Sequence, residues 1–262
     1  MLISECENYY QEKQVVVGEH LDNRIKIICN IAILELQKIR KNSINLICID
    51  PPYVGIINKE WDKKNQLTDE LINEFYRVLK DTGSIYCFCG IGEKSNSLFK
   101  FHNILGQKFY FKDLITWKKN RGIGMRKGWL YTREEILWFV KDNKKFIWNK
   151  KKQYSNEKRP FTITGAKNLS EYKRITNVWI DINEVGFGSS PKKYSSFRKH
   201  LTPKPVELIE RIIKLHTKKN DMVLDCFAGS GTTGKACKNL NRKCILIEKE
   251  RQCIPIIKQR LK

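Results

Sequence analysis

The chain has 262 residues, 41% hydrophobic and 30% charged, which fits one large globular domain or one carrying a smaller insertion and excludes collagen-like, disordered and transmembrane classes. Fifty Lys and Arg against 28 Asp and Glu leave a net charge of +22, which points to a polyanionic partner, nucleic acid above all, beside the plainer explanation of an A+T-biased coding sequence. Nine cysteines, odd in number and without CxxC spacing, fit free thiols in a reducing compartment and argue against zinc; the closest pair, Cys87 and Cys89, is expected on opposite sides of a strand.

The first residues lack an apolar signal-like region, and no run of about 18 apolar residues occurs, so the protein is expected to be cytoplasmic and to have no membrane partner. Short runs rich in Ile, Val and Phe then alternate with stretches of helical period. The expected strands are Arg24–Cys29, Asn45–Asp50, Ser84–Cys89, Lys112–Trp117, Ile136–Val140, Met222–Asp225 and Lys243–Glu248. Helices are expected over 31–40, 67–80, 204–216, 232–240 and 251–261, with Pro205 in the first turn of its helix, where the missing N–H costs nothing. The pattern is that of an α/β, doubly wound parallel sheet.

Residues 141–200 break the rhythm. Lysines and arginines, including Lys150, Lys151 and Lys152, are interleaved with Phe146, Trp148, Tyr154, Phe161, Tyr172 and Trp179. A surface that tracks phosphates and touches bases needs this composition, and a solvated charged face with its own small core would share it.

Two loops carry chemistry. Asp225-Cys-Phe227-Ala228-Gly229-Ser230-Gly231-Thr232-Thr-Gly follows a short strand and opens a helix, a GxGxxG turn that lets a ligand approach the backbone; Glu248, 19 positions beyond Gly229, suits a ribose. Alone, this reads as a dinucleotide site or as a tight strand-to-helix turn. The second loop, Asp50-Pro51-Pro52-Tyr53, ends a strand with two residues that lack N–H donors, so it presents carbonyls and a carboxylate. An exocyclic amino group of a nucleobase would supply the missing donors, one N–H to Asp50 and one to the Pro51 carbonyl, with Tyr53 stacked on the ring.

These two loops in this order resemble the amino-methylating DNA methyltransferases that use S-adenosylmethionine, in the subgroup with DPPY early, the recognition region in the middle and the FAGSGTTG loop last. The resemblance implies a circularly permuted, seven-stranded Rossmann-like sheet with a basic recognition insertion: 1–140 the catalytic half, 141–200 the target-recognition region, 201–262 the cofactor half. Because the chain has only one strand after the glycine loop, Arg24–Cys29 is expected to complete that half of the sheet.

By the same resemblance the catalytic residues are Asp50, Pro51, Pro52 and Tyr53. Asn30, Asp50, Thr202, Lys204, Asp225, Glu248 and Phe227 to Thr232 bind S-adenosylmethionine, with Thr202 and Lys204 near its carboxylate. Lys150, Lys151 and Lys152 contact double-stranded DNA, and no metal takes part. Two positions depart from the pattern: Asn30 stands where an acidic residue would meet the adenine, and Arg133 precedes Glu134 where a His is usual. The implied product is N6-methyladenine. N4-methylcytosine, a catalytically silent DNA-binding subunit, and an RNA or protein methyltransferase are the alternatives. A homodimer and a cognate restriction endonuclease are compatible partners.

Overall fold

A computed structural model describes residues 18–52, 67–92, 95–123, 127–158, 171–185 and 203–262. Tyr53 and Thr202 lie outside the described residues.

All seven expected strands form, and they join in one sheet: β2 (Ile25–Cys29), β3 (Ile44–Ile49), β4 (Leu79–Cys89), β5 (Tyr110–Ile123), β6 (Tyr131–Val140), β10 (Met222–Asp225) and β11 (Lys243–Glu248). Among the described residues the sheet has nine strands rather than seven, because β1 (Gly18–Asp22) and β9 (Val178–Trp179) add one edge each. Neither carried a sequence signal: one is polar and the other two residues long. A separate hairpin pairs β7 (Tyr154–Lys158) with β8 (Tyr172–Arg174).

The order β1-β2-β11-β10-β3-β4-β6-β5-β9 has the expected permuted connection, since β11 pairs in parallel with N-terminal β2 while β10 pairs in parallel with β3. Only β1 and β6 run against the rest. The sheet therefore has a carboxyl edge, where β2, β11, β10, β3 and β4 end, and an amino edge to which reversed β6 delivers the chain at Val140.

Alternation along the strands sends side chains into two cores. On one face Leu46, Cys48, Tyr86, Phe88, Ile136 and Trp138 pack under α4 (Val206–His216), α5 (Thr232–Asn239) and α6 (Ile254–Leu261). On the other, Ile47, Ile49, Ile85, Cys87, Leu137 and Phe139 pack under α1 (Ala32–Leu36), α2 (Asp69–Val78) and α3 (Ser97–Gly106). Helix α3 was not expected. Cys87 and Cys89 share one face, as residues two apart on a strand must, which corrects the expectation for that pair; the eight cysteines among the described residues are free.

Phe146, Trp148, Ile175, Trp179 and Ile182 of the 141–200 stretch pack against the first core. Beneath them His216 is buried. Burial pushes it down to about 3, so the ring is neutral; Nδ1, 2.8 Å from the Ile147 carbonyl, carries the proton and donates to it, which leaves Nε2 to accept from Tyr86 Oη at 2.7 Å.

Candidate active site

Four adjacent strands, β2, β11, β10 and β3, end side by side at the carboxyl edge with Asn30, Glu248, Asp225 and Asp50 at their tips. The chain crosses from β10 to α5 on one face and from β3 to α2 on the other, so Asp50 and the glycine turn flank the point where the sheet's connections reverse. Open α/β sheets bind ligands there.

The glycines of the turn have separate duties. Gly229 (φ +51°) is open: a Cβ there would meet nothing nearer than the Phe227 carbonyl at 3.9 Å. Gly231 (φ +80°) lies against Ile257, and a Cβ on Gly234 would come within 2.7 Å of Leu246 Cδ1. The last two let α5 sit tightly on β11 and α6, while the first leaves room for a ligand.

Two carboxylates hold the turn in place. Glu248 accepts the Gly229 N–H at 2.7 Å through Oε2 and the Glu250 N–H at 2.8 Å through Oε1; burial pushes its carboxyl up, against the pull of those two bonds. Asp225 accepts the Phe227 N–H at 3.1 Å and the Thr233 hydroxyl at 2.6 Å. Burial pushes it up to about 7, the two bonds pull the other way, and the charges of Asp50 and Glu248 add to the rise. Asn30 donates its N–H to the Glu248 carbonyl at 3.1 Å and its side-chain amide to buried Glu35 at 2.6 Å. An acidic group thus stands behind Asn30, within one hydrogen bond of the place where the resemblance leads one to expect an acid.

Asp50 is held from a direction the sequence did not indicate. Lys204, just before α4, places Nζ 2.6 Å from Asp50 Oδ2 and 2.7 Å from Glu134 Oε1, and over the Phe88 ring at 5.2 Å. Lys119 of β5 takes the other oxygen of Glu134 at 2.6 Å. Burial acts to lower the Lys204 ammonium, and the two carboxylates overcome it and raise it; burial acts to raise Glu134, and Lys204 and Lys119 bring it below the usual carboxylate range. Glu134 and Lys119 were missed as site residues. Their signal was two consecutive glutamates, Glu134 and Glu135, opening an otherwise apolar strand.

Above this network β5 and β6 continue as a hairpin. Beyond the Trp117–Glu134 pair three residues of β6, Tyr131 to Arg133, face a bulged β5, so the hairpin extends about 10 Å past the carboxyl edge. It exposes Lys118, Lys127 and Arg133, and at its end Trp129 and Leu130 are 93% and 63% exposed. Lys150, Lys151 and Lys152 are not brought to this edge. They form an exposed 3-10 turn anchored by the Asn149 N–H to the Leu215 carbonyl at 2.8 Å, at the far end of α4 from Lys204. A helix of that length separates them from Lys204 by about 15 Å.

Comparison with known proteins identifies relatives of this chain. The N6/N4 family model described as DNA methylase matches residues 44–259. Type II methyltransferase M.HpaI of Haemophilus parainfluenzae is 34% identical over 243 residues, 90% of this chain and 74% of that protein. DNA adenine methyltransferase YhdJ of Escherichia coli (strain K12) is 33% identical over 245 residues, 85% of this chain and 77% of that protein. The crystal structure of an M1.HpyAVI–SAM complex superposes with a TM-score of 0.61 at 30% identity, covering 90% of this chain and 100% of that one.

Proposed function

The chain belongs to the N6/N4 DNA methylase family, and from that premise we propose that it is a cytoplasmic, site-specific enzyme that methylates the exocyclic amino group of adenine in double-stranded DNA, with S-adenosylmethionine as the methyl donor. The observation that carries this reading is the neighbourhood of Asp50 and the open Gly229 turn at the reversal point of the sheet. The adenine choice rests on the likeness to a DNA adenine methyltransferase, and the donor on the likeness to a protein crystallised with it.

The donor set suits S-adenosylmethionine. The first turn of α5, from Thr232, offers backbone N–H groups to a carboxylate; Asp225 and Glu248 offer acceptors to an ammonium and to ribose hydroxyls; Gly229 leaves space that any Cβ would take. Phe227, Ala228, Ser230 and Gly231 complete the turn, and Asn30, backed by Glu35, stands at the tip of β2. Thr202, outside the described residues, belongs to the same proposed set. When bound, S-adenosylmethionine supplies a methyl group already activated on a sulfonium.

The chain's own task is to present the nucleophile. An aromatic amino nitrogen has its lone pair delocalised into the ring. Hydrogen bonds from its two N–H groups to Asp50 and to the Pro51 carbonyl favour a pyramidal nitrogen with a localised pair. The nitrogen gains the methyl as the S–C bond of the sulfonium breaks to leave a neutral thioether, and the proton it sheds passes to solvent. Pro52 fixes the loop, and Tyr53 stacks on the flipped base. Alignment of this kind contributes about 7–11 kcal/mol in well-oriented model reactions.

The DNA-facing side, on this reading, is the carboxyl edge and the β5–β6 hairpin, where Lys118, Lys127 and Arg133 can meet phosphates and Trp129 a base or a groove wall. Lys150 to Lys152, on the other edge, are left with at most a peripheral contact to flanking DNA. A homodimer and a cognate restriction endonuclease are further partners under this proposal, to be sought by sedimentation and co-purification.

Transfer of labelled methyl from S-adenosylmethionine by the purified chain tests the reading. Label is expected in DNA and not in RNA or protein, and Asp50→Ala should abolish it while S-adenosylmethionine still binds. A silent parent chain would support the non-catalytic alternative.

A further inference from the structure

Asp50 follows the buried run of β3 and Glu134 opens that of reversed β6, with β4 between them, so their backbones stand about 10 Å apart across the sheet. Both side chains lie on the face covered by α4, and the Lys204 ammonium spans the gap at 2.6 and 2.7 Å, with the Phe88 ring beneath it. Asp50 is one-third exposed, whereas Lys204 and Glu134 are 10% and 5% exposed.

Such a cluster is a costly way to stabilise a strand end. Each buried ion loses several kcal/mol of hydration, and apolar groups of the same volume are often as stable. Its electrostatic consequence at Asp50 is more specific. A lysine facing Asp50 alone would cancel the negative charge at the point where a substrate N–H must donate. With Glu134 present the Lys204 ammonium is divided between two carboxylates, so it offsets less of the Asp50 charge than it would facing Asp50 alone. Charge-assisted hydrogen bonds are roughly twice as strong as neutral ones, so that charge matters to how the amino group is held. Glu134 also tethers Lys204 from the side away from Asp50, and is itself fixed by Lys119 at 2.6 Å.

We propose that Glu134 is a positioning residue for Asp50 acting through Lys204: it draws on the same ammonium, so that Lys204 holds the Asp50 carboxylate in place toward the amino nitrogen without cancelling its acceptor strength. This rests on the methyltransferase reading and deepens it. It differs from the role the resemblance implies for Lys204, a contact with the cofactor's carboxylate.

The test uses the full chain and compares Glu134→Gln, Glu134→Asp, Lys204→Met and the double variant Glu134→Gln with Lys204→Met. Turnover, KM for DNA and calorimetric S-adenosylmethionine affinity are measured for each. Glu134→Gln is expected to lower kcat at least tenfold, to leave both affinities within threefold, and to be partly rescued by Glu134→Asp. In the Lys204→Met background Glu134→Gln should add no further loss, because a residue that acts through another has nothing left to act on. A kcat within twofold of the parent, or losses that simply add in the double variant, would overturn the proposal. So would a fall in S-adenosylmethionine affinity that tracks the rate, which would return Lys204 and Glu134 to the cofactor site. If Glu134→Gln melts below the assay temperature, Glu134→Asp reads the same split of kcat from affinity. A parent chain without transfer activity would sink the methyltransferase reading and this inference together, whereas an active parent matched by Glu134→Gln would sink this inference alone.

Discussion

The Gly229 N–H donates to Glu248 Oε2 at 2.7 Å, so the carboxylate at the tip of β11 holds the glycine turn that follows β10. The Glu250 N–H occupies its other oxygen at 2.8 Å, so this side chain organises the loop before any ligand arrives. Glu248→Ala should weaken S-adenosylmethionine binding at least tenfold by calorimetry, since both backbone donors lose their acceptor along with the proposed ribose contact. Glu248→Gln, which keeps one acceptor oxygen, should fall between it and the parent. Unchanged affinity in the alanine variant would mean that the ligand sits elsewhere.

The glycines of the turn should separate stability from binding. A methyl on Gly234 runs into Leu246, and overpacking of this kind costs about 1–3 kcal/mol, so Gly234→Ala should lower the melting temperature by several degrees. Gly229→Ala meets open space and carries only the left-handed backbone penalty of roughly 1–2 kcal/mol, yet it places a methyl where the ligand approaches. It should melt closer to the parent than Gly234→Ala and bind S-adenosylmethionine distinctly more weakly. The reverse ranking in either measurement would contradict the assignment of the open position.

Burial raises Asp225 to about 7, while in the unfolded chain an aspartate titrates near 4. Between those values the native state keeps a proton that the unfolded state has released, so this residue's contribution to stability declines as pH rises from about 4 to about 7. His216 has the opposite sign. Its burial holds it at about 3, so stability is lost as pH falls below about 6.5 and the unfolded imidazole takes up a proton that the native ring refuses. Because the two oppose each other, the measurement is a difference. Without cofactor, Asp225→Asn should gain a few degrees of melting temperature on the parent at pH 8 and less at pH 5; equal differences at both values would show that Asp225 is ionised in the folded protein across that range.

Strand direction makes a prediction about DNA. Replacing Lys118, Lys127 and Arg133 with Gln should reduce the slope of log K against log salt by up to about 2.7, at about 0.9 per phosphate contact. Replacing Lys150, Lys151 and Lys152 with Gln should change it by less than about 1, since they stand about 15 Å away on the amino edge. A larger effect from the second set would put the principal DNA surface on the edge opposite Asp50.

The sheet was legible because strands buried on both faces leave continuous apolar runs, as in β3, where all six residues are buried. The Asp50 and Gly229 loops were legible because their chemistry is local: prolines without donors, glycines at spaced turns. What escaped was set by pairing at a distance. The edge strands β1 and β9 have no apolar run of their own. The meeting of Lys204 with Glu134 joins residues 70 positions apart, and Glu134 drew notice in the sequence only for the arginine before it. The lysines at 150–152 have the composition of a nucleic-acid surface, but composition does not reveal that β6 runs in reverse and carries the chain to the amino edge, away from Asp50.

On the reading proposed above, Asp50 presents an adenine amino group for methylation. DNA incubated with the chain and S-adenosylmethionine, digested to nucleosides and separated with mass detection, should contain N6-methyladenine, and the peak should vanish with Asp50→Ala while that variant still binds S-adenosylmethionine. N4-methylcytosine in its place would contradict the base assignment, and substantial N6-methyladenine from Asp50→Ala would contradict the catalytic one.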